Sequence, residues 1–304
     1  MTKEKINNII AANPGGIANR IKCLVSMWRI CDRHNKKLYL YWIKNHTCGA
    51  EFNKLFENKF EMVDNLKEMD DSKVSETWRF LTLPSEVPDN FAEIDPTPRG
   101  NNIDFEFYRI PFSVRKEIFF YLHQLKPTKV ITSTVNNFVK KYNVENLVGI
   151  HIRRDDFLKG KAGLGKVSSD EGFIKKMNEV IKEDETTRFL LCTDSQEIED
   201  KFKNEFGERI IIYPKRNRDR TSVIATQQGL VDLLLLSKTK HIIGTYRSTF
   251  NELAWWLGDC KAKVNIIFDK NLNNEFIKKN AKLEKSKLLK LKRFIYNKIR
   301  IFKK

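Results

Sequence analysis

His151-Ile152-Arg153-Arg154-Asp155-Asp156 sets an imidazole, two guanidiniums and two carboxylates at the end of the apolar run Leu147-Val148-Gly149-Ile150. Four full charges in succession at the end of a buried strand are costly unless a ligand or an ion-pair network uses them. In an extended segment side chains alternate, so His151 and Arg153 share one face and Ile152 takes the other. A guanidinium is a planar fork of donors suited to a diphosphate, which it binds through charge-assisted bidentate bonds. The plainer alternative is an Arg/Asp cluster that orders a loop.

Three further stretches have residue types suited to the same ligand. Gly15-Gly16 follows an apolar run and precedes a helical pattern, where glycines let backbone approach a phosphate and a helix N-terminus offers free N–H groups. An ordinary tight turn looks the same, and neither G-x-G-x-x-G nor a Walker loop is present. Thr193-Asp194 in "LLCTDS" and Ser248-Thr249 in "GTYRSTF" put small hydroxyl residues just before helices, as helix caps or as phosphate ligands. Asp232 lies inside "LVDLLLL", where an acid needs a donor. The N–H edge of a guanine would satisfy it, and so would a neighbouring lysine or backbone N–H.

Strands alternating with helices must carry these residues. "IIAAN", a helix with Ile17, Ile21, Leu24, Trp28 and Cys31 on one face, and "KLYLYWI" form an opening βαβ unit. Between about Lys44 and Pro127 the pattern blurs, with helical fragments expected at "EFNKLFENKF" and "FSVRKEIFFYLHQL" around a Pro-rich loop. From Asn146 the alternation is regular: strands "LVGIHI", "RFLLCTD", "RIIIY", "HIIG" and "KVNIIF" are separated by helices. That pattern predicts an α/β fold whose parallel sheet is covered on both faces and binds ligand at the carboxyl ends of its strands. The chemistry-bearing residues fall at three of those ends.

The chain has 304 residues, 41% of them hydrophobic, and its five cysteines form no C-x-x-C pair. A reducing cytoplasm is the expectation, with neither a disulfide framework nor a zinc site. The opening residues lack a signal-peptide h-region, and no run of ~20 apolar residues would span a bilayer. Net charge is +17, but residues 278–304 carry 12 Lys/Arg against one acid, leaving +6 for the rest. This concentration argues against a nucleic-acid partner for the body of the chain. Leu288, Leu291, Ile295, Ile299 and Phe302 share a helical stripe in that tail, a basic amphipathic helix suited to an anionic membrane face.

"GGIANR", "HIRRDD", "CTDS" and "DLLLLSKTKHIIGTYRSTF" occur in that order. Together they resemble the motifs of the GT-B fucosyltransferases of the α1,6/α1,2/protein-O type, which include the bacterial nodulation-factor fucosyltransferases. The match covers the opening βαβ unit and Asn146 to about Gly258. The resemblance implies two Rossmann-like domains with parallel sheets, an acceptor-side domain at 1–145 and a nucleotide-sugar domain at 146–270, before the basic tail at 271–304. It implies GDP-β-L-fucose as donor, inversion at the anomeric carbon, no cofactor and no metal. Arg153 corresponds to the arginine on the β-phosphate, Arg154 to a second arginine, and His151 and Asp232 to guanosine contacts. Ser248, Thr249 and Phe250 correspond to the phosphate-binding turn, Thr193 and Asp194 to the T-D element, and Gly15, Gly16 and Asn19 to the loop that closes over the diphosphate and fucose. Arg247 stands where members of that family often have a small or apolar residue. Asp156 or Asp155 is the candidate general base toward a glycan or glycolipid hydroxyl, assistance worth ~10²–10⁴ in rate. The expected location is the cytoplasm, peripheral on the inner membrane face. A GT-B transferase using another nucleotide sugar is the rival enzyme, and a basic nucleic-acid-binding protein the rival of another class.

Overall fold

The computed structural model describes residues 8–66, 72–75, 77, 80–81, 107, 110–154 and 167–269. The tail and the acids Asp155 and Asp156 lie outside them. Strand β1 (Asn8–Ala12) is followed by helix α1 (Ile17–Arg33) and strand β2 (Lys37–Tyr41). With β3 (Glu61–Met62) and β4 (Ser72–Ser75) these strands make a parallel sheet of order β3-β2-β1-β4. Helix α1 is buried around almost its whole circumference because the sheet covers one side and other helices the other. It ends where Asn35 turns to a φ of 49°, a conformation asparagine tolerates.

The second sheet has the order β7-β6-β5-β8-β9 with every pairing parallel. Its strands are β5 (Val148–Ile152), β6 (Phe189–Thr193), β7 (Ile210–Ile211), β8 (His241–Thr245) and β9 (Lys263–Ile267). The central strands β5, β6 and β8 are buried along their whole length, as a sheet covered on both faces requires. Helices α2 (Phe112–Gln124) and α3 (Lys129–Tyr142) lie between the two sheets in sequence. Helices α4 (Asp170–Glu183), α5 (Gln196–Phe206), α6 (Val223–Leu236) and α7 (Thr249–Leu257) connect the strands of the second. One apolar core runs from Ile9 and Leu24 through Leu122 and Val135 to Leu236 and Trp256, so the two sheets share it. Ile150 and Ile152 belong to a separate cluster on the far face of the second sheet.

The strand–helix alternation expected from residue 146 onward is present element by element. "EFNKLFENKF" is different: it makes a single 3-10 turn, Phe52–Lys54, and then runs irregularly, with Phe56 bridging to Pro127. Its phenylalanines are spaced by an aromatic cluster rather than by a helix, with Phe52 stacked on Phe56 at 5.1 Å and edge-on to Phe60 at 5.5 Å and Trp42 at 5.3 Å. Tertiary partners take up the backbone that a helix would have used: Glu57 N donates to Lys126 O at 2.8 Å, and Asn58 bonds Gln124 O and Lys126 N.

Candidate functional site: a cationic cleft between the sheets

In each sheet the strand order reverses beside the first strand, between β1 and β4 in one and between β5 and β8 in the other. Open parallel sheets bind ligands outside the carboxyl ends of the strands at such points. The Pro14–Gly16 turn leaves β1, Arg153 leaves β5 and Ser248 follows β8, and all of them line one cavity of about 760 Å³. That volume suits a ligand of nucleotide-sugar size.

One end of the cleft is built for an anion. Arg153 Nε stands 3.2 Å from Asp194 Oδ2, with only 16% of its side chain exposed. Its N–H donates to Thr245 Oγ1 at 3.0 Å, and that hydroxyl donates to His151 O at 3.0 Å, which laces the ends of β5 and β8 together. Serines stand before four helices of the second sheet. Ser169, Ser195 and Ser222 each accept a hydrogen bond from the first turn of their helix, whereas the buried Ser248 makes no side-chain cap for α7. Helix α1 starts at Gly16, which has no side chain to cap it. Two helix N-termini therefore present N–H groups without side-chain caps to the same cavity, beside Arg153. Arg220 packs close on Gly16, since a Cβ there would come within 3.3 Å of its guanidinium.

The other end contains the buried acid. Asp232 Oδ2 is 3.0 Å from Lys215 Nζ, which also reaches Glu199 Oε1 at 3.2 Å, and Arg218 pairs with Glu199 at 2.6 Å. Two cations and two acids balance, so the cluster is affordable to bury. Burial pushes the Asp232 carboxyl up, against the pull of Lys215. Its Oδ1 is buried with no hydrogen-bond partner among the described residues. One turn earlier on α6, Gly229 lines the cavity with open space where a Cβ would stand.

His151 joins the two ends. Its ring stacks on Phe250 at 4.6 Å and 16°, and its Nδ1 lies 2.9 Å from Asn251 Oδ1. Asn251 Nδ2 donates to Thr245 O, so the amide oxygen faces the imidazole, Nδ1 donates the proton and Nε2 is left as an acceptor. Burial, reinforced by Arg153, pushes the imidazole down to about 4, which keeps it neutral near pH 7.

Gly15, Gly16, Asn19, His151, Arg153, Thr193, Asp194, Asp232, Ser248, Thr249 and Phe250 all line this cavity. Arg154, grouped with the donor-binding residues through its match to the family's second arginine, is not among the residues that line it. Its buried guanidinium bonds Asp170, Ser168 O and Arg153 O, and its N–H donates to Asp194 Oδ1. Alternation along the strand turns it away from the face that Arg153 occupies. Its carboxylate partner is Asp170, on α4. The lining residues Lys215, Asn217, Arg218 and Arg220 were not expected. The signal was the basic run "PKRNRDR" after "RIIIY", a fourth strand end. His46 and Thr47, from the loop after β2, had no signal. Among the described residues no group of three or more His, Cys, Asp or Glu side chains is placed to hold a metal ion.

No protein-family model matches the chain, and no curated protein matches it in sequence. Solved structures do match in fold. A NodZ alpha-1,6-fucosyltransferase soaked with GDP-fucose superposes with a TM-score of 0.51 at 18% identity, covering 83% of this chain and 93% of that one. POFUT1 in complex with GDP-fucose superposes with a TM-score of 0.51 at 11% identity, covering 88% of this chain and 99% of that one. At these identities the likeness is one of architecture, and the chain has a GT-B fucosyltransferase-like fold.

Proposed function

We propose that this protein is an inverting glycosyltransferase that moves L-fucose from GDP-β-L-fucose to a hydroxyl of a glycan or glycolipid. The observation that carries the reading is the buried Oδ1 of Asp232, unpartnered among the described residues, in the same cleft as Arg153 and the N-termini of α1 and α7. A carboxylate oxygen seeking N–H donors suits a guanine edge, and the cationic end suits the diphosphate. The fold likeness to proteins crystallised with GDP-fucose supports the same donor.

The reaction follows from where charge develops. The bond between fucose C1 and the β-phosphate oxygen breaks with its electron pair going to GDP, while the acceptor oxygen attacks C1 from the opposite face and gives up its proton. Negative charge thus grows on the diphosphate, where Arg153 and the Ser248 end of α7 stand ready, and preorganised donors of this kind lower the barrier. Asp194 fixes the Arg153 guanidinium through Nε. Neutral His151 and Asp232 orient the nucleoside. Asp155 or Asp156 would take the acceptor proton. With arginines and helix N-termini serving the leaving group, the transfer is proposed to need no divalent ion.

Calorimetry with GDP, UDP and ADP in excess EDTA tests the donor. GDP binding in preference to the others is expected, and affinity that returned only with Mg²⁺ or Mn²⁺ would refute metal independence. Incubation with GDP-fucose and a glycan panel, followed by NMR of the product anomer, tests the transfer and its stereochemistry.

A further inference from the structure

The residues Thr245 to Ser248 form a tight turn between β8 and α7, closed by Ser248 N donating to Thr245 O at 3.3 Å. The third residue of that turn, Arg247, has a φ of 57°. This left-handed region suits glycine or asparagine in such a turn, and a long side chain there raises the energy of the backbone. Four other described non-glycine residues share a positive φ, namely Asn35, Asn143, Asp259 and Cys260. None of those four lines the cavity, whereas Arg247 does.

The charge of Arg247 is also placed differently from that of its neighbours. Arg153 stands against Asp194, Lys215 against Asp232 and Glu199, and Arg218 against Glu199. Arg247 is exposed, and no described carboxylate pairs with it. Its guanidinium lies 6.0 Å from the ring of Tyr246. Tyr246 is itself fixed, with its N–H bonded to Ser168 Oγ at 2.9 Å and its ring against Phe268 at 4.9 Å. A cation on a rigid platform, one residue before the uncapped N-terminus of α7, adds to a field that is already positive. An anion between these groups relieves that repulsion.

We propose that Arg247 is a second leaving-group arginine, held in a left-handed turn so that its guanidinium meets the donor diphosphate beside Ser248. This rests on the diphosphate reading of the cleft. It assigns a role to a backbone conformation that stability alone disfavours, a trade of the kind found where activity and stability conflict.

Inorganic pyrophosphate, which has neither base nor sugar, is the probe that separates this proposal from the choice of nucleotide. Calorimetry with pyrophosphate and with GDP, together with thermal unfolding, would be run on the native protein and on Arg247→Gly, Arg247→Asn and Arg247→Lys. Glycine and asparagine fit the backbone and remove the charge. Both variants should unfold at the native temperature or above it and bind pyrophosphate roughly 10- to 100-fold more weakly, the effect of a lost charge-assisted bond. Lysine should restore part of the affinity, and turnover with GDP-fucose should follow the same order. Pyrophosphate affinity within about twofold of native in the Gly and Asn variants would overturn the proposal, as would a marked drop in their unfolding temperature, which would make Arg247 a structural residue. A native protein that binds pyrophosphate but does not prefer GDP would refute the guanine reading alone, with the variant series still deciding the role of Arg247. A native protein that binds neither would refute both.

Discussion

Arg153 and Arg154 are neighbours with unequal surroundings, and substitution should separate them. Arg153→Ala removes a donor aimed at the cleft and should raise the barrier by about 2.7–4 kcal/mol, by analogy with a lost oxyanion donor, while the fold survives. Arg153→Lys keeps the charge without the fork and should recover part of the rate. Arg154→Ala breaks a pair whose side chains are 8% and 19% exposed, and should destabilise by about 3 kcal/mol. Turnover and unfolding temperature measured side by side decide the matter, and near-normal turnover of Arg153→Ala would mean that both arginines only order the loop. His151 makes a separate prediction about pH. Burial holds its folded value near 4 against an ordinary 6.5, so between those values the unfolded chain binds the extra proton. Stability should therefore fall as pH drops from 6.5 to 4, by about 3 kcal/mol at most. Denaturant unfolding of the native protein and of His151→Asn across that range tests it, and an unchanged slope in the variant would assign the effect to other groups.

The elements were legible wherever local pattern and tertiary packing agree. The strands "LVGIHI" and "RFLLCTD" are apolar throughout because both faces are covered, and the helix beginning at Thr249 follows a serine as helices commonly do. Reading failed where distant partners set the conformation. "EFNKLFENKF" has helical phenylalanine spacing, yet Asn58 and Glu57 tie it to the last residue of α2 and the segment that follows. Helix α3 is rich in Val, Ile and Thr, types that disfavour helices; it forms because Ile131, Val135 and Phe138 bury one face. The strand-end residues that line the cavity were legible because the sheet places them. Lys215 and Arg218 were missed because a charge run in a loop usually faces solvent, and only the structure shows Glu199 and Asp232 beneath it. Residues 278–304 remain an expectation from pattern alone. Deleting them should abolish binding to anionic vesicles, to which each basic residue near the surface contributes about 1 kcal/mol, and leave GDP affinity intact. Vesicle binding that survived the deletion would dispose of a membrane role.

Across the whole molecule, the cleft depends on two helices from different sheets keeping their N-termini together. Helix α1 follows the first strand of one sheet and α7 the fourth strand of the other, and Lys22 on α1 meets Glu252 on α7 at 3.0 Å. The side chains are 1% and 5% exposed, and the Lys22 ammonium also sits 5.0 Å from the Phe80 ring. A pair so buried adds little net stability, but removing one partner leaves the other charge buried with less to balance it. Glu252→Gln should therefore destabilise by about 3 kcal/mol, while Lys22→Met combined with Glu252→Leu should recover most of the loss, a coupling that a double-mutant cycle reads directly. The double variant is the informative one for function. The ion pair has a fixed length and direction that an apolar contact does not reproduce. If the pair sets the spacing of the two N-termini around the diphosphate, the double variant should be stable yet show a raised KM for the donor and a lowered kcat. Kinetics with GDP-fucose beside denaturant unfolding tests this. A double variant that matched the native protein in both constants would show that the aromatic core around Trp256 and Phe80 holds the two helices without help from the buried charges.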